Sequence, residues 1–145
     1  SVQLYTPNAT NAQKWIVTLN ADGQMGYATF RSKANDQYLD VVGAGTAAGT
    51  HVDVYDGNAT DAQKFRLDAN SWDLDKWFYL RPKVNENLAL DCIGAGTVDG
   101  TGIQVYDGNG TDAQKWCFVY AGEPNTYYII NLTSCKALDV VGGGV

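Results

Sequence analysis

Short apolar or alternating runs, separated by clusters of Gly, Asn and Asp, occupy the whole chain. Tyr27 to Arg31, Tyr38 to Val42, Val52 to Tyr55 and Lys64 to Leu67 are four of them in close succession. Alternation with period two puts successive side chains on opposite faces of an extended strand. The intervening Gly, Asn and Asp supply the turn conformations that connect such strands. No segment carries an apolar stripe at helical spacing. The pattern therefore predicts short strands joined by tight turns.

The same pattern returns about every fifty residues. Val52-Asp53-Val54-Tyr55-Asp56-Gly57-Asn58-Ala59-Thr60-Asp61-Ala62-Gln63-Lys64-Phe65 is repeated as Ile103-Gln104-Val105-Tyr106 through Gln114-Lys115-Trp116, and again as Val2-Gln3-Leu4-Tyr5 through Gln13-Lys14-Trp15. A second block, Tyr38-Leu39-Asp40, recurs as Ala89-Leu90-Asp91 and as Ala137-Leu138-Asp139. The tail thus supplies the front half of the repeat whose back half is the head. The repeats fall at 20–70, at 71–120, and at 121–145 together with 1–19. Four strands in each give an all-β fold of about twelve strands in one domain. Hairpin-rich repeats bury their apolar faces only against one another, so a closed barrel capped by hairpins is expected. Trp15, Phe65 and Trp116 occupy equivalent positions and are expected to meet near the three-fold axis. The chain ends are expected to meet too. From Asp40 to Tyr55, and from Asp91 to Tyr106, there are 15 positions; across the joined ends, Asp139 to Tyr5 would span only 11.

Composition narrows the partners. The 145 residues carry 10 Lys and Arg against 16 Asp and Glu, a net charge of −6 that disfavours nucleic acid and anionic lipid. No run approaches the roughly 20 apolar residues that cross a bilayer, so membrane insertion is not expected. Ser1 to Tyr5 reads as mature sequence without a cleavable leader. Cys92, Cys117 and Cys135 are odd in number and lack metal-ligand spacing, which points to packed thiols. Asp107 to Asp112 lacks the Gly and Glu positions of a calcium loop, and no cofactor or metal is expected. The single histidine, His51, has no nucleophile partner and reads as a solvated loop residue.

The repeat resembles the ricin B-chain-like lectins, whose mark is a Gln-x-Trp closing each repeat after a Leu-Asp and a Val-Gln-Leu-aromatic block. Here that mark stands as Gln13-Lys14-Trp15, Gln63-Lys64-Phe65 and Gln114-Lys115-Trp116, with Phe in one copy. The resemblance covers the whole chain. It implies a β-trefoil with up to three shallow sugar sites, often for galactose-type sugars, in a secreted or cell-surface protein. It also implies that the Asp of each Leu-Asp block binds hydroxyls and that the Tyr stacks on the sugar. The family's Asn before the Gln is absent, being Ala12, Ala62 and Ala113 here.

The residue types fit that chemistry. A carboxylate accepts two hydroxyl hydrogens, an aromatic ring stacks on the C–H face of a pyranose, and an amide reads hydroxyl orientation. Three candidate sites follow: Asp40, Asp53 and Tyr55; Asp91, Gln104 and Tyr106; Asp139, Gln3 and Tyr5. Asn11, Asp61 and Asp112, or Gln13, Gln63 and Gln114, are candidates for the role of the missing Asn. The glutamines also have a structural reading, as buried amides that tie loops together. The third site, four residues short, is expected to be the weakest. Catalysis is not expected, because glycoside hydrolysis needs a raised-pKa acid in a cleft and these Asp read as exposed residues of shallow loops. Glycans or a polysaccharide are the expected partners, and attachment to a larger secreted protein is one expected setting. The alternative is a trefoil that binds protein or inhibits a protease through an asymmetric loop, either Asp68 to Lys76 with Trp72 and Trp77, or Ala121 to Thr126.

Overall fold

The structure, a computed structural model, describes residues 1–69 and 77–144. Its regular elements there are twelve strands and short 3₁₀ turns. In chain order the strands are β1 (Val2–Tyr5), β2 (Trp15–Leu19), β3 (Tyr27–Ser32), β4 (Tyr38–Val41), β5 (Thr50–Tyr55), β6 (Phe65–Ala69), β7 (Phe78–Pro82), β8 (Leu88–Cys92), β9 (Ile103–Asp107), β10 (Trp116–Tyr120), β11 (Thr126–Asn131) and β12 (Ala137–Val140).

Six of them close on themselves. Antiparallel pairing runs from β2 to β3, β6, β7, β10 and β11, and β11 returns to β2 through Thr126↔Ile16. The other six form three hairpins, β4–β5, β8–β9 and β12–β1, which cap one end of this barrel. The cap is joined by Thr50↔Val105 between β5 and β9 and by a bridge from Gln3 to Gly102. The third hairpin is built from opposite ends of the chain, with Val2 opposite Val140 and Tyr5 opposite Ala137. This is the β-trefoil.

Alternation along the strands sorts the core. Leu39, Val41 and Val52 of the first hairpin point inward and are buried, as are Leu88, Leu90, Val105 and Leu138 of the other two. Trp15, Phe65 and Trp116 open β2, β6 and β10 and are wholly buried in one core cluster. Each indole also finds a polar partner: Trp15 Nε1 donates to the Leu138 carbonyl and Trp116 Nε1 to the Leu90 carbonyl, both at 3.0 Å. Phe65 has no such donor. The close ring pairs among the described residues do not join these three positions. They run instead from Phe65 to Phe30, Phe30 to Phe118 and Phe118 to Phe78, at 5.9, 6.1 and 5.5 Å between centroids.

Three smaller expectations are corrected. The strand expected to reach Val42 ends at Val41, because Gly43 turns the chain with φ +62°, as Gly94 does with φ +63° in the next repeat. His51 lies in β5 rather than in a loop, although it remains exposed. Among the free thiols, Cys92 is packed, and burial pushes it up to about 12, but Cys135 is exposed at φ +57° in the turn between β11 and β12.

Candidate functional site

Strand register brings each expected pair onto one outward face. On the first hairpin Asp40 stands opposite Asp53 and Tyr38 opposite Tyr55. On the second, Asp91 faces Gln104 and Ala89 faces Tyr106. On the third, Asp139 faces Gln3 and Ala137 faces Tyr5. Residues two apart on a strand share a face, so carboxylate, cross-strand partner and Tyr line one surface in all three copies.

The carboxylates are not the exposed loop residues that the sequence suggested. Asp40, Asp91 and Asp139 lie within strands and are only 8%, 6% and 4% exposed, whereas Tyr55, Tyr106 and Tyr5 are 62%, 41% and 40% exposed. The cause is the Gln of Gln-x-Trp, whose 3₁₀ turn folds over the hairpin. Gln63 Oε1 accepts the Asn58 N–H at 3.2 Å, and its Nε2 donates to the Asp56 carbonyl and to Asp40 Oδ2, both at 2.8 Å. Gln13 repeats this with Asn8, the Thr6 carbonyl and Asp139 Oδ2, and Gln114 with Asn109 and the Asp107 carbonyl. These amides are buried with donors and acceptor engaged, so they sit beneath the surface and hold it in shape. The turn asparagines are engaged in the same way, Asn8, Asn58 and Asn109 each accepting the backbone N–H and hydroxyl of the Thr two residues on.

The second partner of each Asp differs. Gln104 Nε2 donates to Asp91 Oδ2 at 2.8 Å, and Gln3 Nε2 to Asp139 Oδ1 at 3.1 Å. Asp53 cannot donate. Its Oδ1 accepts the Val54 N–H at 2.8 Å and lies 2.8 Å from the Ser1 amino nitrogen. Burial pushes the Asp40 carboxyl above its ordinary value; the Gln63 hydrogen bond opposes this, and the charge of Asp53 adds to it. Burial also raises Asp91, with the amides of Gln104 and Gln114 offsetting part of the effect.

The remaining expected residues lie at the rim. Asp61 and Asp112 are exposed and paired with Lys83 (3.3 Å) and Lys115 (2.9 Å). Asn11 lines a cavity of about 530 Å³ together with Gln3, Tyr5, Ala12 and Asp139. That cavity is the site drawn from the two chain ends, whose short loop contributes Gly142 and Gly143. Sequence reasoning missed Tyr38, a second ring beside Tyr55, whose edge packs on Gly57 where any Cβ would clash. The available signal was its replacement by Ala89 and Ala137 in the other repeats.

The alternative reading rests on two loops. Residues 70–76, with Trp72, lie outside the described residues. Near Ala121 to Thr126, an apolar cavity of about 580 Å³ is lined by Phe78, Phe118, Tyr120, Asn125 and Tyr127.

Comparison with known proteins adds to this geometry. Residues 11–83 and 61–145 match the model of the ricin-type beta-trefoil lectin domain-like family. A designed 3-fold symmetric protein, ThreeFoil, is 31% identical, with 81% of both chains covered and a TM-score of 0.75. The β-trefoil lectin of the Vibrio vulnificus hemolysin/cytolysin, solved with N-acetyl-D-lactosamine bound, is 22% identical over 79% of this chain and 83% of that one, at a TM-score of 0.53. The exo-beta-1,3-galactanase 1,3Gal43A of Clostridium thermocellum is 16% identical over 97% of this chain, which spans only 29% of the galactanase, at a TM-score of 0.64. The last two likenesses concern the fold alone. No curated protein sequence matches the chain.

Proposed function

The chain belongs to the ricin-type β-trefoil lectin-like domain family, and from that premise we propose that it is a multivalent carbohydrate-binding module. Its three sites are Asp40 with Tyr55, Asp91 with Tyr106, and Asp139 with Tyr5. The observation that carries this reading is the triplicated pairing of a buried, amide-held carboxylate with an exposed Tyr on one hairpin face. A carboxylate fixed in this way is pre-organised to accept two sugar hydroxyl hydrogens, while the ring stacks on the pyranose C–H face. Galactose-type sugars are the first class to test.

Each shallow site alone supplies roughly millimolar affinity, about −4 kcal/mol. Three sites on one rigid body then gain by avidity on a clustered glycan. Such a module serves a secreted or cell-surface protein, as a lectin or as the part that holds a larger enzyme at its polysaccharide. The fold points to a non-catalytic domain. The Asp residues are buried, so the non-catalytic reading rests on the lectin-like family and not on their exposure.

A glycan array on the wild type beside a D40N/D91N/D139N variant tests the reading. Asn keeps the shape and removes the charge. Loss of a clear sugar signal in a folded variant supports the proposal, and an unchanged signal rejects it.

A further inference from the structure

The three hairpins are internal controls for one another, and they differ at the position opposite the buried Asp. Where Gln104 and Gln3 donate to the buried Asp, the first hairpin has Asp53. The same grading runs through the neighbouring positions. Asp56 and Asp107 close the first two hairpins where the third has Thr6, and Asp61 and Asp112 stand where the third has Asn11. Lys83 and Lys115 engage Asp61 and Asp112. Asp40, Asp53 and Asp56 therefore leave the first site three carboxylates without a basic side-chain partner among the described residues, where the second has Asp91 and Asp107 and the third Asp139 alone.

Asp40 and Asp53 are directly opposite on antiparallel strands, where like charges repel. Asp40 is buried, so solvent screens that repulsion poorly. Two basic side chains of the same repeat are engaged elsewhere, Lys64 with Asp22 and Arg31 with Asp36. Asp53 Oδ1 accepts the N–H of its neighbour Val54, a neutral donor that leaves the carboxylate its charge. In the other two sites the residue opposite the Asp is an amide, Gln104 or Gln3, which donates to it and adds no charge at that position.

We propose that Asp53 makes the Asp40 site selective for sugars carrying a free ammonium, the 2-amino-2-deoxy hexoses, over their N-acetyl and hydroxyl counterparts. The selectivity rests on the sugar-binding reading of that site. An ammonium bridging Asp40 and Asp53 relieves their repulsion and gains charged hydrogen bonds that an acetamide or hydroxyl does not make. The acidic chain as a whole attracts such a cationic glycan.

The test is an NMR titration of protein labelled at Tyr, following Tyr55, Tyr106 and Tyr5 as reporters of the three sites. Galactosamine, N-acetylgalactosamine and galactose are compared, with the glucose series in parallel. The Tyr55 site is expected to prefer the free amine by about ten-fold, and the other two sites to show little preference. D53Q should bring the Tyr55 site to the behaviour of the others, and Q104D should confer amine preference on the Tyr106 site. Near-UV circular dichroism verifies that both variants fold. Equal amine and N-acetyl affinities at Tyr55, or a preference untouched by D53Q and not transferred by Q104D, overturn the proposal. If the sugars bind at all three sites without amine preference, only this selectivity fails. If no sugar moves any of the three rings, the sugar-binding reading fails and the selectivity falls with it.

Discussion

Gln13 Nε2 donates a 3.0 Å hydrogen bond to Asp139 Oδ2, joining residues 126 apart in sequence. Gln63 makes the same bond to Asp40 within one continuous repeat. The two are one device, an amide that fastens its own turn from below and holds a carboxylate at the surface above. The unit that residues near both ends of the chain build together therefore keeps the same hydrogen bonds as the continuous one.

Replacing Gln63 by Leu removes that device from one site. The Asn58 N–H and the Asp56 carbonyl lose a hydrogen-bond partner, and each loss costs about 0.5–1.5 kcal/mol. Calorimetry is expected to give a melting temperature lower by several degrees, with sugar response lost at Tyr55 and kept at Tyr106 and Tyr5. An unchanged melting temperature would mean that the amide is not structural.

Acid should weaken two sites before it weakens the fold. Asp40 and Asp91 have carboxyls raised by burial, so each takes up its proton at a higher pH folded than unfolded. As pH falls through the raised values, each loses the charge that accepts sugar hydroxyls. The sign for stability is opposite: over the same window the folded state binds more protons, and these two groups favour folding. Titration at Tyr55 and Tyr106 should therefore show affinity falling from above the ordinary carboxylate range, while circular dichroism stays constant. Binding that holds down to ordinary carboxylate values would contradict it.

Ala9 and Ala59 sit at φ +58° and +56°, where the second repeat has Gly110 at φ +70°. A left-handed Ala costs roughly 1–2 kcal/mol, and Gly returns part of that as chain entropy. A9G and A59G are each expected to stabilise by about 0.5–1 kcal/mol in urea denaturation. A loss of stability would show that the two turns are not strained.

Much of this was legible because the repeat states it three times. The Leu-Asp block, the Val-x-x-Tyr block and the Gln-x-aromatic block gave the strands, the closure and the residues that share each hairpin face. Burial of the Asp was not legible. Carboxylates are normally exposed, and these are covered by an amide from a different turn, 23 residues away for Asp40 and 126 for Asp139. The ring path through Phe30, Phe78 and Phe118 was equally hidden, because barrel strands from two different repeats set it. Asp53 was visible as a substitution, and its meaning came only with the register that sets it against Asp40.

The most direct measurement is a titration of Tyr-labelled protein with the sugar that an array selects. The predicted result is that the rings of Tyr5, Tyr55 and Tyr106 shift, with Tyr38 following Tyr55, while Tyr120 and Tyr127 stay still. Shifts at Tyr120 and Tyr127 alone would contradict the three-site reading, because they would place the ligand in the apolar cavity at the other end of the barrel.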